Sequence, residues 1–298
     1  MQFLKRTRRL TRRKPRAARA KKKGVPTAGR VQLCDHLVAS PLVHPAHDGL
    51  KIGHLSDLHV VTGIKPRRLL RAIAHVNAQK PDLVMLTGDY VCISTRSLPR
   101  LTAALKTLTV KAYATLGNHD HYAGAEKVRA ALTAAGVTVL SNDSTTVMHQ
   151  GEPLHIVGID DEVTGHADPG KAFKDVPSGG TRIVLAHYPR TVRNVAGNRA
   201  ALVLSGHTHG GQICVPKMPA FTRRLMKGLG APYLAGFYLV GEMVLYVNRG
   251  LGAAVPLRVA APMEVALLTL RNTTGRASAR DERDDRSEEV QPSAIQAV

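Results

Sequence analysis

Short apolar runs recur along the chain at 51–56, 83–87, 112–116, 183–186 and 202–205, each continuous enough for a strand buried on both faces. Between the early runs the apolar positions switch to helical spacing. The pattern predicts helices over 66–79, entered through Pro66, over 98–108, and over 123–135, which stops before Gly136. The first half therefore reads β-α-β-α-β-α, a wound α/β arrangement. Further strand-like stretches lie at 137–140, 145–149, 154–159, 238–240 with 244–247, and 265–270. They predict a second half that is more antiparallel. The best candidate for a membrane span, 231–247, is interrupted by Gly236, Gly241 and Glu242 and reads as a β-hairpin.

Composition sets the boundaries. The chain has 298 residues and 44% hydrophobic content, enough for a real core, but no Trp and only 4% aromatics, so Leu, Val, Ile and Ala must build it. The net charge of +20 is concentrated at one end: residues 1–30 hold thirteen Lys or Arg and no acid, leaving about +7 for the rest. Three regions follow: a disordered basic tail over 1–30, a globular domain over 31–271, and a disordered mixed-charge tail over 272–298. The RRLTRRK stretch has the look of an export signal, yet no apolar segment follows it. The three scattered cysteines, Cys34, Cys92 and Cys214, form no CxxC pair and fit a reducing, cytoplasmic compartment. A basic tail of this kind is drawn to anionic membrane surfaces, which would place the protein at the inner-membrane periphery, or to nucleic acid. It lacks interleaved aromatics for base stacking.

Five short polar clusters stand at or near the ends of the apolar runs: Asp57-Leu58-His59, Gly88-Asp89, Gly117-Asn118-His119-Asp120, Ala186-His187 and Gly206-His207-Thr208-His209. In α/β sheets, ligands gather beyond the carboxyl ends of strands. In an extended segment Asp57 and His59 point to one face and can serve one metal; a D-x-H alone is more often a surface turn. The Asp89 carboxylate can bridge two cations. Asn118 offers a hard amide oxygen without charge, and by simple alternation His119 points elsewhere, which suits it to be a general acid. His187 alone reads more naturally as a packed histidine. The two imidazoles of the GHTH loop can go one to each of two metals. Without a thiolate, the donors favour Mn, Fe or Zn. Two divalent ions against Asp57, Asp89 and a bridging hydroxide leave a net positive site for a phosphate.

In this order the clusters resemble the calcineurin-like metallophosphoesterase superfamily over about residues 31–271. The nearest likeness is to the YkuE/YaeI-type bacterial phosphoesterases, a subgroup that includes a UDP-2,3-diacylglucosamine diphosphatase of lipid A biosynthesis. HDGLKIGHLSDLH at 47–59, the turn at 158–161, GHTHGGQ at 206–212, and YVNRGLG with PLR at 246–252 and 256–258 carry that likeness. The resemblance implies a four-layer α/β/β/α sandwich of two mixed sheets, the metallo-dependent phosphatase fold. It implies that Asp57, His59, Asp89 and His209 hold one metal, that Asp89, Asn118, His187 and His207 hold a second, and that His119 is the catalytic histidine. One departure excludes a protein phosphatase: the G-D-Y-V-D-R-G pattern becomes Gly88-Asp89-Tyr90-Val91-Cys92-Ile93-Ser94. The acid that would orient His119 is therefore missing, and Asp120 is the substitute offered.

The function expected is hydrolysis of a phosphoester or pyrophosphate bond by a hydroxide bridging two metals, with His119 protonating the leaving oxygen. The substrate is a phosphorylated small molecule or a lipid-linked one such as a UDP-acylglucosamine. The alternatives are a nucleic-acid or nucleotide phosphodiesterase and a non-catalytic scaffold of the same fold. Among secondary positions, Asp160 and Asp161 read as turn residues and Arg258 as surface packing. His54, His75, His121, His149, His155 and His166 are left without a role. The segment 215–233, mixing Met, Phe and Leu with cations, suits either a lid or an ordinary insertion.

Overall fold

The computed structural model describes residues 31–60, 64–211, 232–252, 258 and 261–274. The basic tail over 1–30, the C-terminal tail beyond Thr274 and most of the 215–233 segment lie outside the described residues, while Asn272, assigned to the tail, is the last residue of a strand. In chain order the main elements are β1 (Gln32–Ser40), β2 (Lys51–Leu55), α1 (Pro66–Ala78), β3 (Leu83–Thr87), α2 (Leu98–Leu105), β4 (Ala112–Thr115) and α3 (Asn118–Ala134). They continue through β5 (Val137–Val139), β6 (Asp143–His149), β7 (Glu152–Ile159), α4 (Pro169–Phe173), β8 (Thr181–Ala186), β9 (Leu202–Ser205), β10 (Gly236–Val240), β11 (Met243–Val247) and β12 (Glu264–Asn272). No described helix is long and apolar enough to cross a membrane.

The strands form two six-stranded sheets, ordered β1-β12-β2-β3-β4-β5 and β10-β11-β9-β8-β7-β6. Side chains alternate across the strands and so divide the core into three layers. Leu83 and Met85 of β3 face the second sheet, Ile183 and Leu185 of β8 face the first, and these meet between the sheets. Val84 and Leu86 face the other way, onto Leu69, Ile73 and Val76 of α1, Leu101 and Leu105 of α2, and Val128 and Leu132 of α3. Val184 and Ala186 of β8 pack with Val192 and Val195 of the short helical turns beyond β8, and with Ala172 of α4. The result is an α/β/β/α sandwich whose second helical layer is thin.

Both sheets are mixed. β2, β3, β4 and β5 run parallel, and β12 joins them antiparallel through β2 while pairing parallel with β1. The second sheet is less antiparallel than the sequence pattern suggests: β7, β8, β9 and β11 are parallel, and only the edge strands β6 and β10 reverse. The chain leaves β8 through a crossover rather than a tight hairpin, a distinction that strand periodicity does not contain. Strand β1 was not predicted; its burial alternates but its residue types do not follow, because Gln32, His36 and Ser40 take less exposed positions while Leu33 and Leu37 stay exposed at the sheet edge. Helix α3 begins five residues before the predicted start because Gly124, at φ 122°, separates its first turn from the regular body. The helical periodicity is readable only beyond that kink.

Register decides the position of everything functional. Leu55 pairs with Leu86, and Thr87 with Thr115, so β2, β3 and β4 release their next residues at one level. The carboxyl ends of β8 and β9 arrive at the same edge of the sandwich, where Gly206 N–H donates to the His187 carbonyl (3.1 Å).

Candidate metal centre

Seven of the predicted side chains come together at that edge. Asp57, His59, Asp89 and His209 place ligand atoms within 4.8 Å of one another, and Asp89, His187 and His207 do the same. Asp89 belongs to both groups. Asn118 completes the second: its Oδ1 lies 3.0 Å from His207 Nδ1 and 3.2 Å from His187 Nε2. Sheet one contributes Asp57, His59, Asp89 and Asn118 from the ends of β2, β3 and β4. Sheet two contributes His187 from the end of β8 and the His207–His209 loop from the end of β9.

The backbone achieves this at a cost. Among the described residues nine non-glycine positions have positive φ, and five of them are Asp57, His59, Asp89, His207 and His209. Such residues are uncommon, and strain gathered in one place marks a functional constraint. Asp57 and His59 therefore converge through left-handed turns at φ 51° and 41°, not through strand alternation as the sequence reading supposed. Asn118 and His119 likewise diverge because they open the first turn of α3, not by alternation. Gly88 and Gly117 let two turns touch: a Cβ on Gly88 would stand 2.6 Å from Gly117 N.

Buried Asp120 fixes that junction. Its carboxylate accepts N–H groups from Asp89 (2.8 Å), Tyr90 (2.9 Å), Val91 (3.3 Å) and Gly117 (3.0 Å). It thus clamps the Asp89 turn to the start of α3, and all its hydrogen bonds go to that task. It does not orient His119. That work falls to a backbone group: His119 Nδ1 donates to the Cys92 carbonyl at 3.0 Å. The His119 N–H donates to Asp89 Oδ1, also at 3.0 Å. His119 sits at the rim, its ring edge-on to His59 with centroids 4.9 Å apart.

The donors fit metal ions. His59 Nε2 and His209 Nε2 approach to 3.3 Å, and His207 Nδ1 and His187 Nε2 to 3.2 Å. Metal–nitrogen bonds of about 2.0–2.1 Å put neighbouring ligand atoms roughly 3 to 3.5 Å apart, so these imidazole pairs stand at ligand spacing. His187 Nδ1 is committed to the Thr87 carbonyl (2.7 Å), leaving Nε2 for a cation. Burial pushes His59 and His207 down to about 4, and burial together with the Arg258 guanidinium pushes His209 down to about 3, so all three present lone pairs at neutral pH. Burial opposes charge on Asp89 and His187 too, but each overcomes it in the other: the Asp89 carboxyl is held below the usual range and the His187 imidazole well above it.

The surrounding residues were only partly readable. Arg258 is buried, not at the surface as expected, and its guanidinium reaches His209 Nδ1 (3.0 Å) and the Arg249 carbonyl (2.7 Å). The loop after β11 wraps Asp57, with Leu251 N–H donating to the Ser56 carbonyl (3.0 Å) and Gly252 N–H to the Asp57 carbonyl (2.6 Å). Asp161 holds a turn through Thr164 (2.7 Å), while Asp160 pairs with His121 (2.7 Å). His54 is a buried core histidine bonded to Thr87 Oγ1 (2.9 Å).

Residues 50–211 match the model of the calcineurin-like phosphoesterase family, a span that contains every residue named for the two groups. The chain belongs to this family. It is a metallophosphoesterase, a hydrolase of phosphoester bonds. It is 32% identical over 255 residues to the metallophosphoesterase YkuE of Bacillus subtilis, covering 82% of this chain and 86% of that protein. It is 34% identical over 232 residues to the phosphodiesterase YaeI of Escherichia coli, covering 74% and 82%. It is 28% identical over 274 residues to the UDP-2,3-diacylglucosamine pyrophosphatase LpxG of Chlamydia trachomatis, covering 74% and 83%. Family members use divalent metals, and the two Asp89-sharing groups are where this chain can hold them.

Proposed function

We propose that this metallophosphoesterase hydrolyses a phosphodiester or pyrophosphate bond at a two-metal centre. Asp57, His59, Asp89 and His209 hold the first cation, and Asp89, Asn118, His187 and His207 the second. The observation that carries this reading is the shared carboxylate: Asp89 lies in both ligand groups, with His119 fixed to it at the rim. Bound Mn, Fe or Zn would supply a water of lowered pKa and neutralise the phosphoryl oxygens. The chain does the rest. Cys92 O holds the Nδ1–H of His119, so Nε2 is the ring atom that takes up a proton and passes it to the leaving oxygen. With Asp57 and Asp89 the only carboxylates in the set, the loaded site stays positive toward a phosphate.

For the substrate we favour a UDP-linked acylated sugar, supported by the likeness to LpxG. The thirteen cations of residues 1–30 would hold the enzyme on the cytoplasmic face of an anionic membrane, where such a lipid-linked substrate resides. A nucleotide or nucleic-acid phosphodiesterase is the second reading, supported by the likeness to YaeI. The deciding experiment is Mn-supported turnover on p-nitrophenyl mono- and diesters, nucleotides, single-stranded nucleic acid and UDP-2,3-diacylglucosamine. The lipid-linked anhydride is expected to be cleaved with the highest kcat/KM; preference for nucleic acid would transfer the assignment to the second reading. Asp89→Ala should lower every rate by about a thousandfold or more, and full activity in that variant would remove the two-metal mechanism.

A further inference from the structure

A cavity of about 360 Å³ adjoins the His119 side of the centre. Cys92 connects the two, since it lines the cavity while its carbonyl holds His119 at 3.0 Å. Val60, next in the chain to His59, lines it as well. The remaining wall has two kinds of surface. Ile93, 74% exposed, and Pro99 give an apolar side. Arg96 and Arg100 give a cationic one, and among the described residues no carboxylate lines the wall. The two arginines are four residues apart, in the helical turn at Thr95–Ser97 and the first turn of α2. Both line the same cavity, where like charges repel. Among the described residues neither is in a salt bridge, unlike Arg129, Arg199, Arg249 and Arg271. An anion placed between them would relieve that repulsion and pair them both.

We infer that this cavity is the leaving-group subsite and that it selects a leaving group carrying its own phosphate beside an apolar substituent. The inference rests on the assignment of His119 as the acid, because the departing oxygen must lie where that proton is delivered. Water adds its hydroxyl to phosphorus. The bond from phosphorus to the departing oxygen breaks with its electron pair on that oxygen, which takes the His119 proton. The proton left from water restores the imidazolium. When the departing oxygen belongs to a phosphate, the negative charge that phosphate carries lies beside Arg96 and Arg100. A departing alcohol gives those guanidinium groups nothing to pair with. The subsite thus favours pyrophosphate diesters over simple phosphodiesters.

Two symmetric substrates test this, because the preferred leaving group of each is the same from either side and the products identify it: phenyl phosphate, a weaker base than phenolate, from the anhydride, and p-nitrophenol from the diester. P1,P2-diphenyl pyrophosphate releases phenyl phosphate; bis(p-nitrophenyl) phosphate releases p-nitrophenol. For the Mn-loaded full chain, the ratio of kcat/KM for the first to that for the second is expected to fall at least tenfold in Arg96→Ser/Arg100→Ser. Arg96→Lys/Arg100→Lys should recover most of it. An unchanged ratio overturns the subsite. Binding of phenyl phosphate to metal-free protein, measured by calorimetry, gives a second readout. The serine pair should weaken it at least tenfold, and equal binding by both proteins also overturns the inference. Should Mn-loaded wild-type protein cleave neither compound nor UDP-2,3-diacylglucosamine, the proposed two-metal mechanism fails, while the binding measurement still decides whether the arginines form a phosphate site.

Discussion

His119 shows how a single side chain acquires its role from groups that sequence does not mark. Its Nδ1 is held by a carbonyl, that of Cys92, and any residue at 92 would present the same atom. The acidic neighbour that looked like the natural partner, Asp120, spends its carboxylate on four backbone N–H groups instead. If His119 is the proton donor, His119→Asn should cost rate according to the leaving group. A decrease of about a hundredfold or more is expected on alkyl phosphodiesters, whose alkoxide needs a proton, and under about tenfold on p-nitrophenyl esters. Equal losses on both would assign His119 a binding role. His187 yields a second expectation. Burial disfavours its charged form, yet the neighbouring Asp89 carboxylate lifts its pKa to about 10. A raised value means that the metal-free site keeps this proton throughout the neutral range, and a cation must displace it. Metal uptake near pH 7.5 should therefore release about one proton and tighten as pH rises. Calorimetry in buffers of different ionisation enthalpy measures the release, and a heat independent of buffer would contradict it. In the metal-free protein the same raised value stabilises the fold fully below the ordinary histidine pKa, and that stabilisation is lost as pH rises through about 10.

At the scale of elements, the site is a set of strand ends held in register by two glycine turns. A Cβ on Gly117 would fall onto Asp89 Oδ1, stand 2.7 Å from Asp89 N and 2.9 Å from His187 Cε1. Gly117 has an ordinary φ of −113°, so the obstacle is space, not backbone strain. Gly117→Ala should displace the shared carboxylate and weaken metal binding about 10- to 100-fold, with a loss of about 1–3 kcal/mol of stability from overpacking. A variant with wild-type metal affinity would show that the two turns can separate without consequence. The strands leading into these turns were legible because they are buried on both faces and read as unbroken apolar runs: residues 83–87 and 202–205 are strands over those same residues. β1 was not, because polar Gln32, His36 and Ser40 take its less exposed positions and Leu33 and Leu37 its exposed ones, so no apolar period marks it. The start of α3 was not, because its first turn is shaped by the cap at Gly117 and the kink at Gly124 rather than by periodicity.

At the scale of the molecule, the two ligand groups join the sheets. Asp57, His59, Asp89 and Asn118 come from one, and His187, His207 and His209 from the other, so each proposed cation would cross-link both halves of the sandwich. Binding to the folded state alone stabilises it by mass action, about 2.7 kcal/mol at a hundredfold excess over Kd. Chelation should accordingly lower the melting temperature of the whole domain by several degrees, and Mn should restore it. A melting curve indifferent to both would mean that the sheets are already fixed without metal. The sequence by itself determined which side chains were available, that most of them follow buried strands, and that hard-cation chemistry suited them, because residue type and hydrophobic period are local properties. Tertiary structure alone decided the strained turns that aim Asp57 and His59, the carbonyl that holds His119, the burial of Arg258 against His209, and the cavity between the Cys92 turn and α2. Each depends on segments brought together from distant parts of the chain, and no spacing along one strand encodes the distance between two sheets.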